Sequence, residues 1–181
     1  MLNNTVALLE SGAAAAVGDY ESISTTTLST TQAAITFSSI VGTYKHLQIR
    51  FIARGSGGGG ILTTFNSDTA ANYSYHSLTG EGATASANSG SSTSNMLIVR
   101  NGGVQTGANI FTAGVIDILD YSNTNKYKTL RTLNGGDANG SGNIQLESGS
   151  WRNTAAITSV TLTHNGSTFA QYSSFALYGV K

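Results

Sequence analysis

Between Tyr44 and Arg54 the residues alternate regularly enough to dictate a local geometry. Lys45, Leu47, Ile49, Phe51 and Ala53 fall on one side, and Tyr44, His46, Gln48, Arg50, Ile52 and Arg54 fall on the other. A period of two is that of an extended strand, whose successive side chains point to opposite faces. This one should have a buried face and a wetter face. The stretch from Gly114 to Gly136 carries two more such runs. Val115 to Leu119 is apolar except for Asp117, Ser122 to Asn125 supplies side chains that hydrogen-bond their own backbone, and Tyr127 to Leu133 resumes the alternation. In the second run Tyr127, Thr129, Arg131 and Leu133 share one face, and Lys128, Leu130 and Thr132 share the other. The pattern predicts a β-hairpin, and the nearly all-apolar first run predicts a central strand covered on both faces.

Further strand-like runs lie at Tyr20 to Leu28, Ala33 to Ser38, Ile61 to Asn66, Ser94 to Arg100, Ile144 to Ser150, Thr158 to His164 and Gln171 to Val180. The total is about nine or ten strands with polar turns between them. Pro is absent, so every turn is built from Gly, Asn, Asp, Ser or Thr. No segment longer than the first 19 residues shows a helical period. These features predict an all-β fold, an antiparallel β-sandwich of jelly-roll type, over residues 20 to 181 as one domain. Residues 1 to 19 read as a short N-terminal arm for attachment or oligomer contact. It lacks a basic start and Glu10 interrupts its apolar run, so a signal peptide is not expected. Two stretches, Glu81 to Thr93 and Gly135 to Asn143, are nearly all small and polar and read as exposed loops, the first of them mobile.

With 181 residues the chain is long enough to bury a core without staples, and with no Cys it has no disulfide or thiolate metal site. Nine Lys and Arg balance nine Asp and Glu, and only 10% of the residues are charged. A near-neutral coat disfavours nucleic-acid binding through phosphate neutralisation. It suits a protein that lives inside an assembly, where charge is not needed to resist association. No apolar run approaches the roughly 18 residues of a membrane helix.

Motifs for chemistry are sparse. Gly55, Gly57 and Gly60 have the G-x-G-x-x-G spacing of a dinucleotide loop, but the β-prone run ILTTF follows where a helix is required, so the segment reads as a flexible hairpin tip. Asp137, Asn139, Ser141 and Gly142 begin like a calcium loop, yet Ser148 stands where the bidentate Glu belongs and Glu147 comes one residue early; a plain turn is expected. Asp117 and Asp120 are three apart in a strand and point to opposite faces, which leaves Asp117 to pair with Arg131 or Lys128. His46, His76 and His164 have no metal-ligand spacing, and no G-x-S-x-G occurs. Neither a catalytic residue, nor a metal site, nor a cofactor is therefore assigned. The remaining candidates are aromatic: Tyr73, Tyr75, His76 and Trp151 could stack on sugar rings.

Taken together, TYKHLQIR (Thr43 to Arg50), NYSYH (Asn72 to His76), IDILDYSNTNKYKTLRTLNG (Ile116 to Gly135), WRNTAAITSVTLT (Trp151 to Thr163) and FAQYSSFALYGVK (Phe169 to Lys181) resemble the small virion proteins of tailed phages, especially those infecting cyanobacteria and other marine bacteria. The resemblance runs from about Tyr20 to the end and contains no catalytic motif. It implies a non-enzymatic structural protein on the virion surface, decorating the capsid or forming a head appendage. Other virion proteins would be its partners, in a homo-oligomer for which a trimer is the natural guess. The alternative it implies is a tail-fibre-type receptor-binding module that recognises host surface glycan.

Overall fold

The computed structural model describes residues 18 to 181. The arm proposed for residues 1 to 19 therefore lies outside the described residues, apart from its last two. Twelve strands follow: β1 (Tyr20–Thr27), β2 (Ala34–Phe37), β3 (His46–Ala53), β4 (Gly60–Phe65), β5 (Tyr73–Glu81), β6 (Thr84–Thr93), β7 (Met96–Val99), β8 (Thr112–Leu119), β9 (Lys128–Asp137), β10 (Gly142–Trp151), β11 (Val160–Asn165) and β12 (Ser174–Val180). No helix occurs among the described residues. The expected all-β sandwich is the fold.

All pairings are antiparallel, and they make an eight-stranded sheet, β1-β12-β3-β8-β9-β10-β5-β6, and a four-stranded sheet, β2-β11-β4-β7. Within this order sits a jelly roll. Strands β1, β12, β3 and β8 form one layer and β2, β11, β4 and β7 the other, with the chain stepping between layers at β1 to β2, β2 to β3, β3 to β4, β7 to β8, β8 to β11 by way of β9 and β10, and β11 to β12. Two hairpins are inserted, β5–β6 between β4 and β7, and β9–β10 between β8 and β11. Both extend the larger sheet beyond β8, and they form what we call the wing.

The roll is packed as alternation predicts. Leu47, Ile49, Phe51 and Ala53 of β3 and Phe175 and Leu177 of β12 face inward and are buried, against Ile35, Phe37, Phe65, Val160 and Leu162 from the opposite layer. Phe175 meets Phe169 edge to face at 4.9 Å and stacks with Phe51 at 6.3 Å. Its outer face is polar: Arg50 donates to Gln48, Gln48 donates to Asp117, and Arg131 donates to Asp117 from β9 at 3.2 Å. The Arg50 guanidinium also lies over the rings of Tyr20 and Tyr178. The pairing of Asp117 with Arg131 is thus the expected one, across directly opposed positions of β8 and β9.

Four expectations about local structure are corrected. The glycine-rich segment Gly55 to Gly60 is not a hairpin tip; it carries the chain from β3 in one layer to β4 in the other. Its glycines allow close backbone approach: a Cβ on Gly59 would stand 2.0 Å from the Asn165 carbonyl oxygen. Glu81 to Thr93 is not a loop, because Thr84–Thr93 pairs with β5 along its length and the turn is confined to Gly82 and Ala83. Gly135 to Asn143 is likewise mostly strand, with β9 running to Asp137 and β10 resuming at Gly142. Here the turn closes on itself, Ala138 N–H donating to the Ser141 carbonyl and Gly140 N–H to Asp137 Oδ1, while Glu147 lies along β10 beside Thr132. Finally, β8 is covered on one face only: Ile116 and Ile118 are buried, whereas Leu119 is exposed and Val115 half-exposed on the other.

Candidate functional site

The four aromatic-site candidates do not form one platform. In the β5–β10 pairing Trp151 stands opposite Tyr73, and both face inward. They are fully buried, stacked on each other at 6.3 Å, with Phe65 closing the cluster at 5.6 Å from the indole. Their polar ends are satisfied internally: Trp151 Nε1 donates to Asp68 Oδ2 at 2.8 Å, and the Tyr73 hydroxyl donates to the Asp68 carbonyl while accepting from Phe65 N–H. Burial pushes the Tyr73 hydroxyl up to about 12. The Asn72 amide and the Trp151 indole hold the Asp68 carboxyl below its ordinary value. Tyr75 is half-buried over Gly90, where a Cβ would meet the ring at 2.5 Å, and His76 points out from the opposite face of β5. Three of the four thus serve packing, and a sugar cannot reach the two largest rings.

The unusual surface lies elsewhere. Strand registers across the wing place Ala87, Leu78, Leu146, Leu133 and Val115 in one row on the outer face, each directly opposite the next. One pleat along, about 7 Å away, the same strands carry Ala85, Gly80, Ile144, Gly135 and Ala113, followed by Ile52 on β3. Leu78, Leu133, Ile144 and Leu146 are each 53% to 61% exposed, and Ile52 is 46% exposed. An open groove of about 860 Å³ runs beside the leucine row, floored by Gly80, Gly135 and Ala113 and walled by Ile144 and Leu133. Scattered exposed leucines are ordinary, whereas contiguous apolar faces are characteristic of interaction surfaces and ligand grooves.

Beyond the Tyr73–Trp151 cluster and Leu130, the inner face of the wing is polar where the outer face is apolar. Thr132 and Asn134 on β9, Gln145 and Glu147 on β10, Ser77 and Thr79 on β5, and Ser86 and Asn88 on β6 share that side in register. Strand β7 covers part of it: Asn134 donates to the Ile98 carbonyl, the Thr132 hydroxyl lies 3.2 Å from the same oxygen, and Gln145 accepts from Arg100 N–H. Glu147 accepts from Thr132 at 3.0 Å, but its other oxygen is buried without a partner. Burial, only partly offset by that hydrogen bond, pushes the Glu147 carboxyl up to about 7. Past the edge of β7 the polar side opens into a cavity of about 380 Å³ lined by Ser77, Thr79, Ser86, Asn88, Arg100 and Asn101.

Sequence reasoning missed both faces. The alternation of Ile144 and Leu146 with Gln145 and Glu147 was available, but it does not say which side is inside. What the arrangement offers chemically is apolar contact on one side and hydroxyl and amide hydrogen bonding on the other. No family model, curated protein or solved structure matches the chain.

Proposed function

We propose that the protein is a non-enzymatic structural subunit of a phage virion, a capsid-decorating or head-appendage module on the particle surface. The observation that carries this reading is the contiguous apolar row Leu78, Leu146, Leu133 and Val115 on the outer face of the wing, in a chain of which only 10% of residues are charged. Such a face is characteristic of a surface that another molecule covers in an assembly. The jelly-roll architecture supports the reading as a general fold of viral coats, though the same fold also serves lectins. The likeness of the Ile116 to Gly135 stretch to small phage virion proteins supports it further.

A second reading, host-glycan recognition by a tail-fibre-type module, is favoured by the polar cavity on the inner side of the wing. Ser77, Thr79, Asn88 and Asn101 offer there the hydroxyl and amide groups that read sugar hydroxyls. This site takes the place of an aromatic platform whose two largest rings, Tyr73 and Trp151, are buried in the core. Cryo-electron microscopy of intact particles, or immunogold against this chain, separates the readings. Density repeated over the capsid lattice is the expected result. Density confined to the tail or fibre tips would transfer the role to host recognition, and absence of the chain from purified particles would overturn both.

A further inference from the structure

The outer face of the wing has a symmetry that bears on what covers it. Consider a line crossing the strands over Thr79 on β5, Gln145 on β10, Asn134 on β9 and Gly114 on β8. On one side of it stand Leu78, Leu146, Leu133 and Val115, and at equal distance on the other stand Gly80, Ile144, Gly135 and Ala113. Rotation by half a turn about this line, taken just above the sheet, lays one copy of the face on another. Leu133 then falls on Gly135, Leu78 on Gly80 and Val115 on Ala113, so that large side chains meet small ones, while Leu146 packs against Ile144. The next residues outward on β9 are Arg131 on one side and Asp137 on the other, again equidistant from Asn134, and both are exposed. The same rotation sets Arg131 over Asp137 of the second copy, twice per pair.

We propose that the apolar face of the wing is closed by a second copy of this chain, packed face to face about that two-fold axis. Sheets packed this way lie about 10 Å apart with strands nearly aligned, and a two-fold interface uses the same patch on both sides. Ridge beside groove and opposite charges at matched distances from one axis are what self-complementarity requires. A foreign partner would need neither. The inference deepens the reading of the face as a covered surface, but it does not depend on the particle: a chain that dimerises and is absent from virions leaves it standing, whereas a monomeric chain found on virions overturns it alone.

Sedimentation velocity on the full-length chain over a range of concentrations tests it. A monomer–dimer equilibrium is expected, and Leu133→Glu should weaken it about a hundredfold, since the substitution enters the interface twice. Arg131→Glu and Asp137→Arg should each weaken the dimer about tenfold by bringing like charges together. The double variant should recover most of the loss. Melting curves of each variant as a monomer establish that the fold is kept. A chain that stays monomeric at all concentrations, a trimer, or a dimer indifferent to Leu133→Glu would overturn the proposal; failure of the charge exchange to restore association would overturn the two-fold register.

Discussion

The roll and the wing share a sheet but obey opposite rules. In the roll, β3 buries Leu47, Ile49 and Phe51 and turns Gln48 and Arg50 into a hydrogen-bonded outer layer. In the wing, β10 buries Gln145 and Glu147 and exposes Ile144 and Leu146. Both strands alternate with a period of two; what differs is which side the second sheet covers. The four-stranded layer ends at β7, so although Tyr73 at the start of β5 still packs in the core, Ser77 and Thr79 of β5 and the facing Ser86 and Asn88 of β6 have no apolar layer over them. There the inner residues are polar because water or hydrogen bonds meet them. The outer leucines, more than half exposed, then contribute little to the stability of the single chain, which is why they point to a contact outside it. A sheet's polarity is thus read against its surroundings, not against the protein's inside and outside.

The comparison can be broken most forcefully in the roll. Phe175→Ala removes a fully buried ring between Phe51 and Phe169, and the cavity should cost about 3 to 5 kcal/mol. Urea denaturation of the monomer measures it; a loss under about 1 kcal/mol would mean that the roll is not the stabilising half.

An intermediate effect is expected at the junction, where Glu147 sits under β7. Its carboxyl is raised from 4.5 to about 7 on folding, so between those values the folded chain keeps a proton that the unfolded chain has released. Stability should therefore be greatest below about pH 4.5 as far as this group is concerned, fall as pH rises through the window, and stay reduced above about 7. The full change is up to about 3 kcal/mol. Glu147→Gln, which keeps the shape and cannot ionise, should flatten this slope in urea titrations at pH 5 and pH 8. An unchanged slope would place the titration elsewhere.

The smallest effect sharpens the contrast. Leu133→Ser on the outer face of the wing should change the unfolding free energy of the monomer by no more than about 0.5 kcal/mol, although it replaces a leucine in a strand. A loss comparable to that of Phe175→Ala would show that the face is covered within the chain itself.

The roll and its junction with β9 were largely legible in the sequence, because Leu47 to Ala53 and Val115 to Leu119 carry large apolar residues at strand spacing and Asp117 and Arg131 advertise their pairing. Strand β6 was not. Thr84–Thr93 has no large apolar residue, and its backbone ladder with β5, invisible in composition, holds it in place. Tyr73 and Trp151 misled for a related reason: each stands alone among polar neighbours and looks like a surface aromatic, until strand register sets them face to face in the core. The apolar row escaped because its members, Leu78, Leu133 and Leu146, come from three separate segments and meet only through the pairing of β5, β10 and β9.

The central claim, that the outer face of the wing is covered when the protein assembles, can be tested with a single thiol, since the chain has no cysteine of its own. Maleimide labelling would compare Leu146→Cys with Thr124→Cys, the latter on the exposed turn before β9. In concentrated full-length protein, labelling at position 146 should be at least about tenfold slower than at 124, with the difference vanishing on dilution. Equal rates at every concentration would mean that the leucine row faces water, and would contradict the account.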